Sequence, residues 1–174
     1  MVELPKVLRD LKGLNKQYSD QILADQLERR SWRAEHPTKI CAFKCMDGRI
    51  HLPHATETPL GIIKSFRNLG GAFDMGWSYL SSVVDECIDH EVRRGRKVLF
   101  LITYHFSRGD KHLGCAGHDY DKKKAIQSVI AFKEQIERIY GADHRIVCPV
   151  ICGFETDFDA LILHGDNGGI ADLS

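Results

Sequence analysis

Seven consecutive positions, Val98-Leu99-Phe100-Leu101-Ile102-Thr103-Tyr104, carry no charge. A run this apolar and this short fits a strand buried in a sheet, and it is far below the length needed to span a bilayer. The pattern around it alternates. Residues 39–44 read as a short, mainly apolar strand that stops at Cys45, and residues 62–66 as another, ended by Gly70-Gly71. Trp77, Leu80, Val84, Cys87, Ile88 and Glu91 recur at helical spacing, with Gly95 where a C-cap belongs. Residues 121–140 predict a further helix with Ile126, Val129, Ile130, Ile136 and Tyr140 on one face. Residues 146–152 and 160–163 complete the strands. Strands alternating with helices predict an α/β fold, a mainly parallel central sheet flanked by helices. Ligands bind such sheets beyond the carboxyl ends of the strands, and Cys45 and His105 both fall at such an end.

The amino-terminal third is different. Leu4, Val7, Leu8, Leu11 and Leu14 lie at helical spacing, with Pro5 suited to a first turn. Gly13 and Asn15 then interrupt, and a second helix is expected from near Ser19, carrying Ile22, Leu23 and Leu27. Residues 1–37 therefore form an N-terminal helical arm that packs on its own sheet or on a partner subunit, and residues 38–174 form the α/β domain. Glu3, Lys6, Arg9, Asp10 and Lys12 break the apolar pattern, unlike a signal peptide, so the expected location is cytoplasmic with no membrane partner. Lys+Arg and Asp+Glu are 24 each. Without a basic excess, no nucleic-acid partner is expected. In a reducing compartment the six cysteines read as thiols or metal ligands, not as a disulfide framework.

The chemistry concentrates after the first strand. In an extended Cys45-Met46-Asp47-Gly48-Arg49, a thiol, a carboxylate and a guanidinium share one face. His105 ends the charge-free strand, and a loop leads from it to Cys115-Ala116-Gly117. One histidine and two cysteines suit a zinc site with three protein ligands and an open fourth position, the arrangement of catalytic zinc. His112 offers a competing imidazole three residues before Cys115. His105 is favoured because a buried strand fixes its place, whereas His112 sits in a polar turn. Cys41, Cys87, Cys148 and Cys152 read as small buried residues. His51 and His54 are candidate proton shuttles. His118 and Asp119 either orient the site or cap the next helix.

The set Cys45-Met-Asp-Gly-Arg49, Arg67-Asn68-Leu69-Gly70-Gly71, Tyr104-His105-Phe106-Ser107, His112-Leu113-Gly114-Cys115-Ala116-Gly117-His118 and Thr156-Asp157-Phe158-Asp159-Ala160 resembles the β-class carbonic anhydrases. It is most similar to the catalytic domain of the carboxysomal shell enzymes, over residues 40–164. The resemblance implies zinc held by Cys45, His105 and Cys115, with Asp47 and Arg49 as the dyad beside the metal. It implies reversible hydration of CO₂ to bicarbonate by a zinc-bound hydroxide, with Gly70, Gly71 and Gly117 on the substrate side. Ordinary β-class enzymes place the histidine at the spacing of His112, so that alternative stays open. Carboxysomal enzymes also carry an N-terminal domain and a degenerate second catalytic copy, for which 174 residues leave no room. A lone domain is then expected to form a homodimer or a higher even oligomer. The alternative functions are hydrolysis of CS₂ or COS on the same scaffold, and a zinc-bearing structural or regulatory module without turnover.

Overall fold

The computed structural model describes residues 4–165 and 168–172. Its centre is a six-stranded sheet in the order β2-β1-β3-β4-β5-β6. The first four strands, β1 (Lys39–Cys45), β2 (Ile63–Asn68), β3 (Val98–Phe106) and β4 (Val147–Glu155), are mutually parallel. β5 (Ala160–His164) and β6 (Ile170–Asp172) extend the sheet antiparallel. Helices α1 (Leu4–Glu35), α2 (Leu52–Ala55), α3 (Ser78–Val92) and α4 (Lys122–Tyr140) complete the chain.

The charge-free β3 occupies the middle, paired on both edges, which is why its first five residues are all apolar and its first polar side chain, Thr103, is buried with its hydroxyl bonded to the Phe43 carbonyl. The larger core is aromatic. Phe43 stacks on Phe66 with ring centroids 4.8 Å apart and meets Phe73, Phe100 and Phe132 edge-on at 5.3, 5.1 and 5.0 Å. Each fully buried ring contributes roughly 1.5–3 kcal/mol of transfer free energy. α4 supplies Val129, Phe132 and Ile136 to this layer. It starts where the Asp121 carboxylate accepts from the amides of Lys123 (2.8 Å) and Lys124 (3.3 Å). Asp121, and not His118 or Asp119, is the cap. A smaller cluster of Ala42, Cys45, Ile50, Leu52, Ile63, Cys115 and Phe154 surrounds the carboxyl end of β1.

Two expectations need correction. The arm is one continuous helix, not two. A glycine in a helix interior costs only about 1 kcal/mol, and the Ser19 hydroxyl donates back to the Asn15 carbonyl at 2.8 Å, bridging the expected break. The arm touches the domain near its carboxyl end, where Arg29 and Arg33 donate to the carbonyls of Leu60 (3.3 Å) and Gly61 (3.2 Å). Residues 6–19 are all exposed; the side chains of Leu4, Pro5 and Leu23 lie outside the described residues. The second correction concerns strand ends. β2, β3 and β4 continue two or three residues beyond their apolar runs, so β3 ends at Phe106, one residue past His105. Among the described residues no helix is long and apolar enough to cross a membrane.

Candidate metal centre

Three elements converge at the carboxyl end of the parallel strands. Cys45 is the last residue of β1, His105 the penultimate residue of β3, and Cys115 precedes a 3₁₀ turn at Ala116–His118. The glycines explain how the turn comes so close. A Cβ on Gly117 would lie 2.6 Å from the Cα and N of Gly70. One on Gly71, at φ +66°, would lie 3.1 Å from the Cys45 amide nitrogen and from the Thr103 carbonyl oxygen. Only bare backbone fits at either place. His118 Nε2 donates to the Gly70 carbonyl at 2.9 Å and ties the two turns together.

The loop from β3 to Cys115 is anchored by carboxylates fifty residues away in the chain. Asp157 accepts from the Ser107 hydroxyl (2.8 Å) and from the amides of Arg108 (3.0 Å) and Gly109 (2.8 Å). These bonds, led by the Gly109 amide, hold its carboxyl below the ordinary range. Glu155 is fully buried and accepts from the amides of Arg108 (3.2 Å), Asp157 (3.1 Å) and Phe158 (3.0 Å). A buried carboxylate with three donors is stable, and it fixes the loop that leaves β3.

The ligand-type atoms of Cys45, His105 and Cys115 lie within 4.8 Å of one another, all three residues buried. The sulfurs are 3.9 Å apart. Two sulfurs on a tetrahedral zinc at about 2.3 Å would be separated by about 3.8 Å, so the spacing suits that ion without rearrangement. His105 is 2% exposed, and neither of its ring nitrogens has a hydrogen-bond partner in the protein. A buried imidazole left unpaired is costly unless something outside the chain satisfies it. Cys115 donates its S–H to Cys45, which holds the Cys45 thiol below its ordinary range against the opposing effect of burial, helped by the Asp47 amide. The same bond and burial push Cys115 up. Two thiols this close, beside an imidazole, are donors of the kind that lose their protons to a bound metal ion.

Asp47 and Arg49 flank this cluster. Arg49 Nε donates to Asp47 Oδ1 at 3.1 Å and Nη2 to Oδ2 at 2.6 Å, and the Arg49 amide adds a third bond at 2.9 Å. The guanidinium holds the Asp47 carboxyl at about 2. Two cations that the spacing argument passed over brace the turn. Arg67 donates to the carbonyls of Asp47 (3.4 Å) and Ile50 (3.2 Å), and the buried Lys44 ammonium donates to Ile50 at 3.0 Å. Burial, with Arg67 nearby, lowers Lys44 to about 8. A lysine inside an otherwise apolar strand was the available signal. His112 lies elsewhere, exposed in the turn Lys111–Leu113, with its ring centroid 5.5 Å from Tyr120. His51 and His54 stand exposed at α2 with ring centroids 6.4 Å apart.

The family model for the carboxysome shell carbonic anhydrase catalytic domain matches residues 40–173. No curated protein matches the sequence. Among solved structures, the β-carbonic anhydrase CcaA is similar at 11% identity and a TM-score of 0.66, covering 98% of this chain and 93% of that one. The Coccomyxa β-carbonic anhydrase in complex with acetazolamide is similar at 14% identity and 0.61, covering 99% and 87%. The β-carbonic anhydrase CafD of Aspergillus fumigatus is similar at 11% and 0.52, covering 76% and 92%. At such identities the likeness is one of fold.

Proposed function

The chain belongs to the carboxysome shell carbonic anhydrase catalytic-domain family and is a carbonic anhydrase of the β fold, and from that premise we propose that Cys45, His105 and Cys115 hold zinc and that CO₂ and water interconvert with bicarbonate and a proton beside it. The observation that carries this reading is the buried, unpartnered imidazole beside two thiols 3.9 Å apart. Zinc held by these three residues would supply a Lewis acid that lowers the pKa of water toward a usable nucleophile. Asp47 is the acceptor that orients the attacking water, since its carboxylate stays ionised and is aimed by Arg49. Arg49 also keeps Asp47 from turning to the metal. Gly70, Gly71 and Gly117 leave the substrate side to backbone, which suits a small apolar molecule needing little more than a dry wall. Six free thiols accord with a reducing, cytoplasmic location.

The donor set fixes the expected pH profile. Two thiolates and a neutral imidazole cancel the charge of Zn²⁺, whereas three histidines leave it intact. Water beside a zinc held by this donor set would therefore be less acidified than the value of about 7 at the three-histidine carbonic anhydrase site. CO₂ hydration followed by stopped flow, alongside a zinc assay, should rise from about pH 7 into the alkaline range with close to one zinc per chain. Asp47, held at about 2, remains ionised throughout and is not the source of that rise. A rate already flat at neutral pH would overturn the donor set. Bound zinc without hydration at any pH would favour the inactive module, and faster turnover of CS₂ or COS would favour the hydrolase.

Self-association is the expected use of the arm. Leu8, Leu11 and Leu14 recur at helical spacing and are each more than half exposed, leaving an apolar stripe without cover in this protomer. A second copy of the chain accounts for it, giving a homodimer or a multiple of one. The double substitution Leu11→Asp and Leu14→Asp should yield monomers by light scattering with an unchanged circular dichroism spectrum. Retention of the parent's mass would remove the arm from the interface.

A further inference from the structure

We propose that Cys41 and Cys87 form a second, redox-active thiol pair, which a peroxide closes to a disulfide joining β1 to α3. Their sulfurs lie 3.6 Å apart although 46 residues separate them in the chain. Forming an S–S bond of about 2.05 Å requires the two to approach by only about 1.5 Å. The two thiols are unequal in access. Cys41 is 0% exposed, whereas Cys87 is 9% exposed and lines a cleft of about 290 Å³ together with Lys39, Lys64, Glu86, His90 and Glu91. Charge separates them in the same sense. The contact with Cys41 holds the Cys87 thiol down at about 6, with Lys64 and Lys39 adding to the effect and burial and Glu91 opposing it. The same contact and burial push Cys41 up. Two cysteines that only filled core space would need neither an opening to solvent nor flanking lysines. The pair shares no residue with the metal centre, so this inference stands independently of the zinc reading.

The chemistry balances without any other group. The Cys87 thiol gives its proton to solvent and the thiolate attacks the O–O bond of the peroxide; a sulfur–oxygen bond forms, the O–O bond breaks, and the hydroxide that leaves takes up that proton as water. The Cys41 sulfur then attacks the resulting sulfenic acid; the S–S bond forms, the S–O bond breaks, and the hydroxyl departs as water with the Cys41 proton. Two thiols are oxidised and one hydrogen peroxide is reduced to two waters. The step suits a reducing compartment, where protein disulfides are transient and serve sensing.

Peptide mapping tests the proposal on the full, zinc-loaded chain. Trypsin places Cys41, Cys45, Cys87 and Cys115 in four different peptides, residues 40–44, 45–49, 68–93 and 112–122. After treatment with hydrogen peroxide, the intact chain should lose the mass of two hydrogens, and peptides 40–44 and 68–93 should appear joined until a thiol reductant is added. In Cys87→Ser the linkage should be lost. In Cys41→Ala, Cys87 should stop at the sulfenic acid and be trapped by dimedone. The proposal is overturned if wild-type peptide 68–93 gains oxygen while 40–44 stays a free thiol. It is equally overturned if both stay thiols under conditions that oxidise the half-buried Cys148. A 45–49 to 112–122 linkage would report on the metal centre alone, so failure of the zinc reading is seen separately.

Discussion

A His105→Ala chain is expected to purify with little zinc and to hydrate CO₂ no faster than buffer, while His112→Ala keeps both. His105 is the only imidazole among the described residues within ligand distance of Cys45 and Cys115, and its nitrogens have no partner in the protein to satisfy them. Without it, two sulfurs must hold the ion alone. Loss of groups that merely orient a metal ligand already lowers affinity about 10–100-fold, so loss of a ligand should exceed about 100-fold. His112 contributes an exposed ring against Tyr120, and its removal should change zinc content and rate by less than about twofold. Zinc analysis and stopped-flow hydration on both variants, with circular dichroism to confirm the fold, decide the matter. Zinc retained without His105 but lost without His112 would reassign the centre. That pair of outcomes remains informative even if truncating the buried ring weakens folding.

The two histidines also show how far the sequence could be read. The spacing of ordinary β-class enzymes favoured His112, three residues before Cys115, whereas the burial of β3 and the resemblance to the carboxysomal branch argued for His105. What decides between them is long-range register. β1 and β3 pair with Phe43 opposite Ile102, and the Thr103 hydroxyl donates to the Phe43 carbonyl at 3.0 Å, so the carboxyl ends of both strands reach the same level. The apolar runs of the sheet, most of the buried face of α3 and the Asp47–Arg49 dyad were legible because each is a local pattern. The face of α4 was legible only in part: Val129 and Ile136 are buried as expected, but Ile130 is 40% exposed and Ala125 and Phe132 enter the core instead, and Trp77 stands 48% exposed ahead of α3. The braces were not. Glu155 and Asp157 act on backbone groups fifty residues away, and Lys44 and Arg67 meet at one carbonyl from neighbouring strands. No periodicity marks a carboxylate whose partners are distant amides. The arm failed for the opposite reason: Gly13 is a weak breaker, and a helix of 32 residues has enough propagating turns to absorb it. β6 and α2 are too short to leave a pattern at all.

The second large effect is expected from Arg49→Ala: zinc content unchanged, CO₂ hydration lowered by about 100-fold or more. In the parent chain three donors from one residue, Nε, Nη2 and the backbone amide, occupy both oxygens of Asp47. The substitution leaves only the amide, and the carboxyl rises from about 2 toward its ordinary value, still ionised at neutral pH. A carboxylate released from its clamp two residues after Cys45 is itself a good zinc ligand at about 2.0–2.2 Å. Four protein ligands then close the centre, which is the composition of structural zinc. Metal is kept and the reacting position is lost. Arg49→Lys should behave almost as poorly, because an ammonium cannot reproduce the two parallel bonds of a guanidinium. Asp47→Asn separates the two duties of the dyad. An amide is a poor zinc ligand and a weaker acceptor, so this variant should leave the centre open yet slow hydration, and cobalt substituted for zinc should keep a solvent-accessible spectrum there while losing it in Arg49→Ala. If Arg49→Ala instead sheds its zinc, the guanidinium serves to hold the fold of the turn, and the Asp47 carboxylate has no tendency to close on the metal.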